Sequence, residues 1–593
     1  MAAGADLVGP PEIYQQPKRQ KLGLTENNSP TFLSTGNPCL DFFFHIVPDT
    51  PPQAVADRLQ LAWRHDPLTA LKLVCNLRGV KGTGKSDREG FYAAALWLHQ
   101  HHPKTLAGNV AAFAGFGYFK DLLEILFRIL DGSEARKSAK RIGMKWKSWR
   151  NLGGRRKRMD FRRHFGDEAF SDQLKTREEK RIERARKVVD RFNEDSDFKF
   201  FHENVSDLFA QRLRSDMEML KSENLNKISL AAKWCPSLDS SFDRITLLCE
   251  TIGKKVFPRE EYTEYDGVLE AHYAYRVRDR LRKEVLVPLR KALELPEIYM
   301  GAQNWGSLPY KRVASVAMKI YKDQFFKHDE ERFKQYLEKV KSGKAKIAAG
   351  ALLPHQIIEA LDDGGGGGVG EEVAELQWKR IVDDMAKIGK LSNCLAICDV
   401  SGSMEGTPMD VAVALGLLVS ELSEDPWKGK LITFSEQPEM QIVKGTSLKR
   451  KIEFVKEMDW GCNTDFQKVF DVLLKVAVEG NLKKEEMIKR LFVFSDMEFD
   501  VASENPWETD YEAIVRKFGE NGFGECVPEI VFWNLRDSKA TPVAAGQRGV
   551  ALVSGFSKNM MKMFLEEGGV VNPVAVMEAA IAGEEYQKLV VLD

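Results

Sequence analysis

Leu395-Ala396-Ile397-Cys398-Asp399-Val400-Ser401-Gly402-Ser403 is a run of four apolar residues that leads straight into an acid and a turn with two hydroxyls. A short, unbroken apolar run is the pattern of a strand buried on both faces, as in a parallel sheet with helices above and below. Similar runs recur at Lys430–Phe434, Leu491–Phe494, Ile530–Trp533 and Val550–Val553. Between them Met409–Leu422, Phe466–Val478, Tyr511–Phe518 and Lys558–Leu565 space their apolar residues as helices do. This alternation predicts a doubly wound parallel α/β sheet over residues 391–593.

Such a sheet gathers the loops that follow its strands along one edge. Asp399 ends the first run, and Asp496 follows Leu491-Phe492-Val493-Phe494-Ser495 in the same way. Thr464, in Asn463-Thr464-Asp465, stands just before a helix. Asp399, Ser401, Ser403, Thr464 and Asp496 therefore form a candidate divalent-cation site. A small, hard cation such as Mg²⁺ or Mn²⁺ prefers oxygen ligands, so short Asp, Ser and Thr side chains suit it where His and Cys would not. Asp and Ser also serve as helix caps and turn residues on an ordinary sheet of this class.

Upstream the period changes. Gly364 to Gly368 is an unbroken glycine run that holds no regular structure cheaply, and with the helix-like Glu371–Ile388 it makes 361–390 a linker and helix. Residues 37–360 read as amphipathic helices with short breaks, among them Gln53–Trp63, Leu68–Leu77, Arg88–His99, Lys120–Leu130, Phe242–Ile252 and Leu281–Leu293. No strict period is visible, so the pattern predicts an irregular helical-repeat array. Residues 1–36 are polar, contain prolines and lack a pattern, as a flexible tail does. The fold class expected is α + α/β.

Two stretches inside the array bear on chemistry. Gly79-Val80-Lys81-Gly82-Thr83-Gly84-Lys85-Ser86 fits GxxxxGK[ST], the phosphate-binding loop, which works only after a buried strand. The preceding Asp66–Leu77 reads instead as a capped helix with Leu68, Leu71, Val74 and Leu77 on one stripe, which makes the stretch a turn between helices and leaves nucleotide binding open. Between Arg136 and Arg163, thirteen Lys or Arg accompany one acid, Asp160, with Trp146, Trp149 and Phe161 interleaved. Such a segment neutralises phosphates and stacks on unpaired bases, with Lys145, Lys147, Arg150, Arg155, Arg156, Lys157 and Arg158 as the candidate RNA contacts. The same cluster would also serve as a nuclear-import signal or a solvated loop.

Lys+Arg and Asp+Glu both number 87 in 593 residues, so overall charge selects no partner and only local clusters can. The 43% hydrophobic and 29% charged content is that of globular units. Eight cysteines stand without CxxC or Cys/His spacing, which argues for reduced thiols and against a zinc site. Neither a signal-peptide core nor an apolar run of about 18 residues occurs, and the expected location is cytoplasmic or nuclear.

Asp-x-Ser-x-Ser, then a distant Thr, then a distant Asp, resembles the metal-ion-dependent adhesion site (MIDAS) of von Willebrand factor A domains. A helical array with a basic segment followed by such a domain resembles the TROVE-type Ro ribonucleoproteins, whose ring of helical repeats binds small noncoding and misfolded RNAs. Arg78 to Asp87, Ala231 to Asp239 and Asp399 to Met404 are similar to an intracellular plant-type family with a C-terminal von Willebrand factor A-like domain. These resemblances imply that the Ser and Thr hydroxyls bind magnesium directly and the two Asp side chains directly or through water. One coordination position is left for water or for a partner's Asp or Glu. No His base or nucleophile pair adjoins these residues in sequence, so an enzyme is not expected. The function expected is a non-enzymatic intracellular scaffold that binds RNA through the helical array and an acidic protein partner through the cation. The alternative is a protein-only adaptor with metal-dependent partner binding and no RNA role.

Overall fold

Capped helices build the N-terminal unit of the computed structural model, which describes residues 22–133, 175–362, 368–433, 438–458, 466–479, 483, 485, 487–499, 510–565 and 571–593. The Asn37 side chain accepts the N–H groups of Cys39 and Leu40, and Pro38 takes the first position of α1 (Pro38–His45). After α2 (Pro52–His65), Asp66 accepts the Thr69 N–H at 3.0 Å to start α3 (Pro67–Arg78). Asp87 does the same for Gly90 at the head of α4 (Arg88–His101). The turn between α3 and α4 is so tight that a Cβ on Gly84 would fall on the Gly79 carbonyl. Gly84→Ala is therefore expected to destabilise the protein by about 2–3 kcal/mol, the cost of overpacking against backbone, and urea denaturation checks it.

The array continues irregularly. Leu247, at φ 54°, breaks the expected helix Phe242–Ile252 into Asp243–Thr246 and Leu248–Val256. The helix Glu270–Arg280 widens into a π-helical stretch over Leu281–Leu286. A smaller second core gathers Tyr310, Phe325, Phe333 and Tyr336 with Val373 and Leu376. There the helix Ser315–Lys341 kinks at Asp329, whose carboxylate takes the Tyr310 hydroxyl at 2.7 Å and Arg332 Nε at 2.9 Å.

The stretch up to 36, unpatterned in sequence, is structured over its described part. β1 (Leu22–Leu24) and β2 (Pro30–Phe32) form an antiparallel hairpin. Its partner is the C-terminal unit: the Phe32 N–H donates to Thr541 O at 3.1 Å and the Thr541 N–H to Phe32 O at 3.0 Å.

The C-terminal strands are β3 (Cys394–Cys398), β4 (Lys430–Thr433), β5 (Met440–Ile442), β6 (Arg490–Ser495), β7 (Glu529–Asn534) and β8 (Val550–Ser554), in the spatial order β5-β4-β3-β6-β7-β8. Every pair is parallel except β4–β5. The sheet is thus mixed and not purely parallel as expected, because the connection 434–439 is too short for a crossover of about a dozen residues. Central β3 is buried along its whole length, and the helix Thr407–Leu422 that follows it is apolar nearly all round. From β3 the chain moves to β4 on one side; from β6, on the other side of β3, it moves away to β7. The loops after β3 and β6 therefore part in opposite directions and leave a crevice at the carboxyl edge.

One continuous hydrophobic core runs through both units. Among the described residues, no helix is long and apolar enough to cross a membrane, and the seven cysteines are free.

Candidate metal centre

The β3–β6 crevice is where the predicted acids lie. The Asp399 N–H donates to Phe494 O at 3.0 Å, prolonging the sheet by one residue and fixing the acid at the mouth of the crevice. Its side chain is fully buried. One carboxylate oxygen accepts the Ser401 N–H at 3.0 Å, and the other accepts the Ser495 hydroxyl at 2.6 Å. Ser401 heads the single 3₁₀ turn Gly402–Met404, and its Oγ lies 3.0 Å from that of Ser403. Ser401 is buried and Ser403 exposed, so the hydroxyl pair leads from the carboxylate out to solvent.

Asp496, also buried, accepts the Glu498 N–H at 3.1 Å, which curls the loop after β6 back on itself. The turn forces Met497 to φ 68°, a conformation that side-chain-bearing residues seldom adopt. Its N–H donates to Ser495 Oγ at 3.1 Å. Ser495 thus ties the two acidic loops together, donating to one and accepting from the other. In the sequence Ser495 stands only as the last residue of an apolar run, with no signal of this role.

Burial, and after it the Asp496 carboxylate, push the Asp399 carboxyl up to about 6 against the pull of its Ser495 and Ser401 hydrogen bonds. Two acids held in mutual repulsion inside a buried crevice, beside a pair of hydroxyls, fit a hard divalent cation: its charge would relieve the repulsion and its oxygen preference matches the donors. Among the described residues no cluster of three His, Cys, Asp or Glu fits a metal, so the donors here are two carboxylates with hydroxyls. Asp399, Ser401, Ser403 and Asp496 come together; Thr464 lies outside the described residues. So do Lys145, Lys147, Arg150, Arg155, Arg156, Lys157 and Arg158.

The N-terminal hairpin reaches this centre. The Glu26 N–H donates to the Glu498 carboxylate at 2.7 Å, Asn27 Nδ2 to Glu498 O at 2.7 Å, and the Thr25 hydroxyl to Phe499 O at 2.8 Å. Burial, and Asp496 nearby, raise the Glu498 carboxyl above the usual range.

The phosphate-loop pattern lies elsewhere and is differently employed. The N–H groups of Gly84, Lys85, Ser86 and Asp87 donate to the carbonyls of Lys81, Asn76, Gly79 and Leu77, so none of these four is free to cradle a phosphate. Lys85 is buried at the junction of the two units, where its ammonium donates to Phe43 O, to Ile46 O at 3.2 Å and to Ser554 Oγ at 2.7 Å. The pattern is a turn between α3 and α4, and its lysine is a structural tie.

A family described as domain of unknown function DUF2828 matches residues 25–391, and one described as domain of unknown function DUF7788 matches 393–589. The chain is 26% identical over 582 residues to Uncharacterized protein L728 of Acanthamoeba polyphaga mimivirus, covering 94% of this chain and 86% of that protein. Among solved structures, that of the Deinococcus radiodurans Ro (RSR) protein is similar at a TM-score of 0.32 and 14% identity, over 86% of this chain and 93% of that one. This last likeness is too loose to carry a ligand or a mechanism across.

Proposed function

We propose that this chain, which belongs to the DUF2828 family, is a non-enzymatic intracellular scaffold that grips an acidic side chain of a protein partner through a bound divalent cation and carries RNA on its helical unit. The observation that carries the reading is the buried Asp399–Asp496 pair beside the Ser401 and Ser403 hydroxyls. These four residues, with Thr464, would hold Mg²⁺ or Mn²⁺ in the manner of a von Willebrand A domain. The bound cation supplies a Lewis-acidic position that a partner's Asp or Glu can fill. Ser403, the exposed member, marks the side from which the partner approaches. Among the described residues, the groups hydrogen-bonded to the two carboxylates are hydroxyls and backbone N–H groups, which orient oxygen ligands and do not move protons near neutral pH. Calorimetric titration with Mn²⁺ tests the reading: one saturable site is expected, and no heat of binding would overturn it.

The RNA half rests on the basic run 136–163. Changing Arg155, Arg156, Lys157 and Arg158 to Glu is expected to weaken binding of a structured RNA with a single-stranded tail. The slope of log affinity against log salt should flatten by about 3. Fluorescence polarisation across a salt series reads both, and an unchanged slope would place the RNA elsewhere.

A further inference from the structure

A cleft of about 880 Å³ in the helical unit has no part in the proposed function. Its two walls differ in chemistry. On one, the Trp234 ring has Lys233 Nζ 5.2 Å and Lys120 Nζ 5.8 Å from its centroid, with the Tyr118 ring at 5.6 Å. Arg290 stands beside them, its guanidinium donating to the Ala232 and Cys235 carbonyls and to Ser237 Oγ. Neither lysine nor Arg290 has an ion pair with a described residue. Two other cations of the same wall, buried Arg78 and half-buried Arg128, are already neutralised, Arg78 by Asp121 and Arg128 by Glu89 and Glu124.

The facing wall is aliphatic. Ile298, Val316 and Ile320 leave 36%, 42% and 62% of their surface exposed. Glu297 on this wall accepts the Tyr321 hydroxyl at 3.1 Å. Covering the aliphatic side chains gains about 25 cal/mol per Å². A nucleic-acid strand would satisfy the cations and stack on Trp234, yet leave this wall wet.

We infer that the cleft docks a segment of a partner protein with one acidic face and one aliphatic face, an amphipathic helix laid between the two walls. Its carboxylates meet Lys120, Lys233 and Arg290, and its apolar side chains cover Ile298, Val316 and Ile320. This docking is independent of the cation at Asp399.

The test uses the full chain in EDTA and a fluorescein-labelled helical peptide of about four turns, glutamates on one face and leucines on the other, followed by polarisation. Saturable binding is expected, weakened about tenfold or more by the double change Lys120→Glu and Lys233→Glu, and likewise by Ile320→Glu. Lys120 and Ile320 are exposed and Lys233 half-buried, and a thermal melt confirms that the variants fold. Absence of saturable binding, wild-type affinity in both variants, or equal binding of a peptide with lysines in place of the glutamates would each overturn the inference. So would a labelled oligouridylate that binds and is lost in the double variant while the peptide does not bind.

Discussion

Asp399→Asn is expected to lower Mn²⁺ affinity by about 100-fold or more without unfolding the protein. The substitution keeps the shape of the side chain and an oxygen for the Ser401 N–H, and the Ser495 hydroxyl can turn from donor to acceptor toward the new amide. What it removes is a negative charge at a cation ligand, which costs at least the upper end of the roughly 10–100-fold typical of losing a supporting residue. The metal-free protein should be no less stable than wild type, because burial and the neighbouring Asp496 penalise the Asp399 carboxylate. Calorimetry with Mn²⁺ and a melt in EDTA read the two halves separately. Unchanged affinity would remove Asp399 from the site. If affinity and stability fell together, Ser403→Ala, at an exposed position, would separate binding from folding.

Lys85→Ala is expected to cost about 3 kcal/mol of stability and nothing in nucleotide affinity. It empties the space of the buried lysine stem beyond Cβ and removes a donor shared by Phe43 O, Ile46 O and Ser554 Oγ. Ser554 still donates toward the two carbonyls, but a single hydroxyl hydrogen cannot satisfy both. The pH dependence has a definite sign. Burial pulls the lysine down to about 7, with Asp87 opposing, whereas the unfolded chain keeps the ordinary value of 10.5. Between those values the unfolded state holds a proton that the folded state has shed, so wild-type stability rises with pH relative to Lys85→Ala. Below about pH 7 both states hold the proton and the difference between the proteins levels off. Urea denaturation of both proteins from pH 6 to 9 checks this. Loss of ATP binding in Lys85→Ala at unchanged stability would restore the phosphate-loop reading.

Where burial on both faces dictates the residue types, the fold is legible in the sequence. Leu395–Cys398, Leu491–Phe494, Ile530–Trp533 and Val550–Val553 mark β3, β6, β7 and β8 to within a residue at each end. β5 escaped because Met440-Gln441-Ile442 is a short, half-exposed edge strand, where no burial pattern is imposed. The hairpin escaped because it is held by backbone hydrogen bonds, and by the Thr31 hydroxyl, to a loop about 500 residues away, which no local pattern records. Asp399 and Asp496 were legible as acids that end buried strands. Ser495 was not, since its value lies in reaching across to a different loop. At Lys85 the capped helix before it was legible and marked the stretch as a turn despite the phosphate-loop spacing; the burial of the lysine was not, because it is a tertiary fact.

The tie at Lys85 also sets a clock on biosynthesis. Lys85 and Ser554 lie 469 residues apart, which at ~5–20 residues per second means roughly 25–95 s between the emergence of one and of the other. Throughout that interval the ammonium, the end of α1 and the N-terminal hairpin face water with their partners not yet made. The nascent helical unit therefore leaves the ribosome with an open seam, and its need for a holding chaperone should end only as β7 and β8 appear.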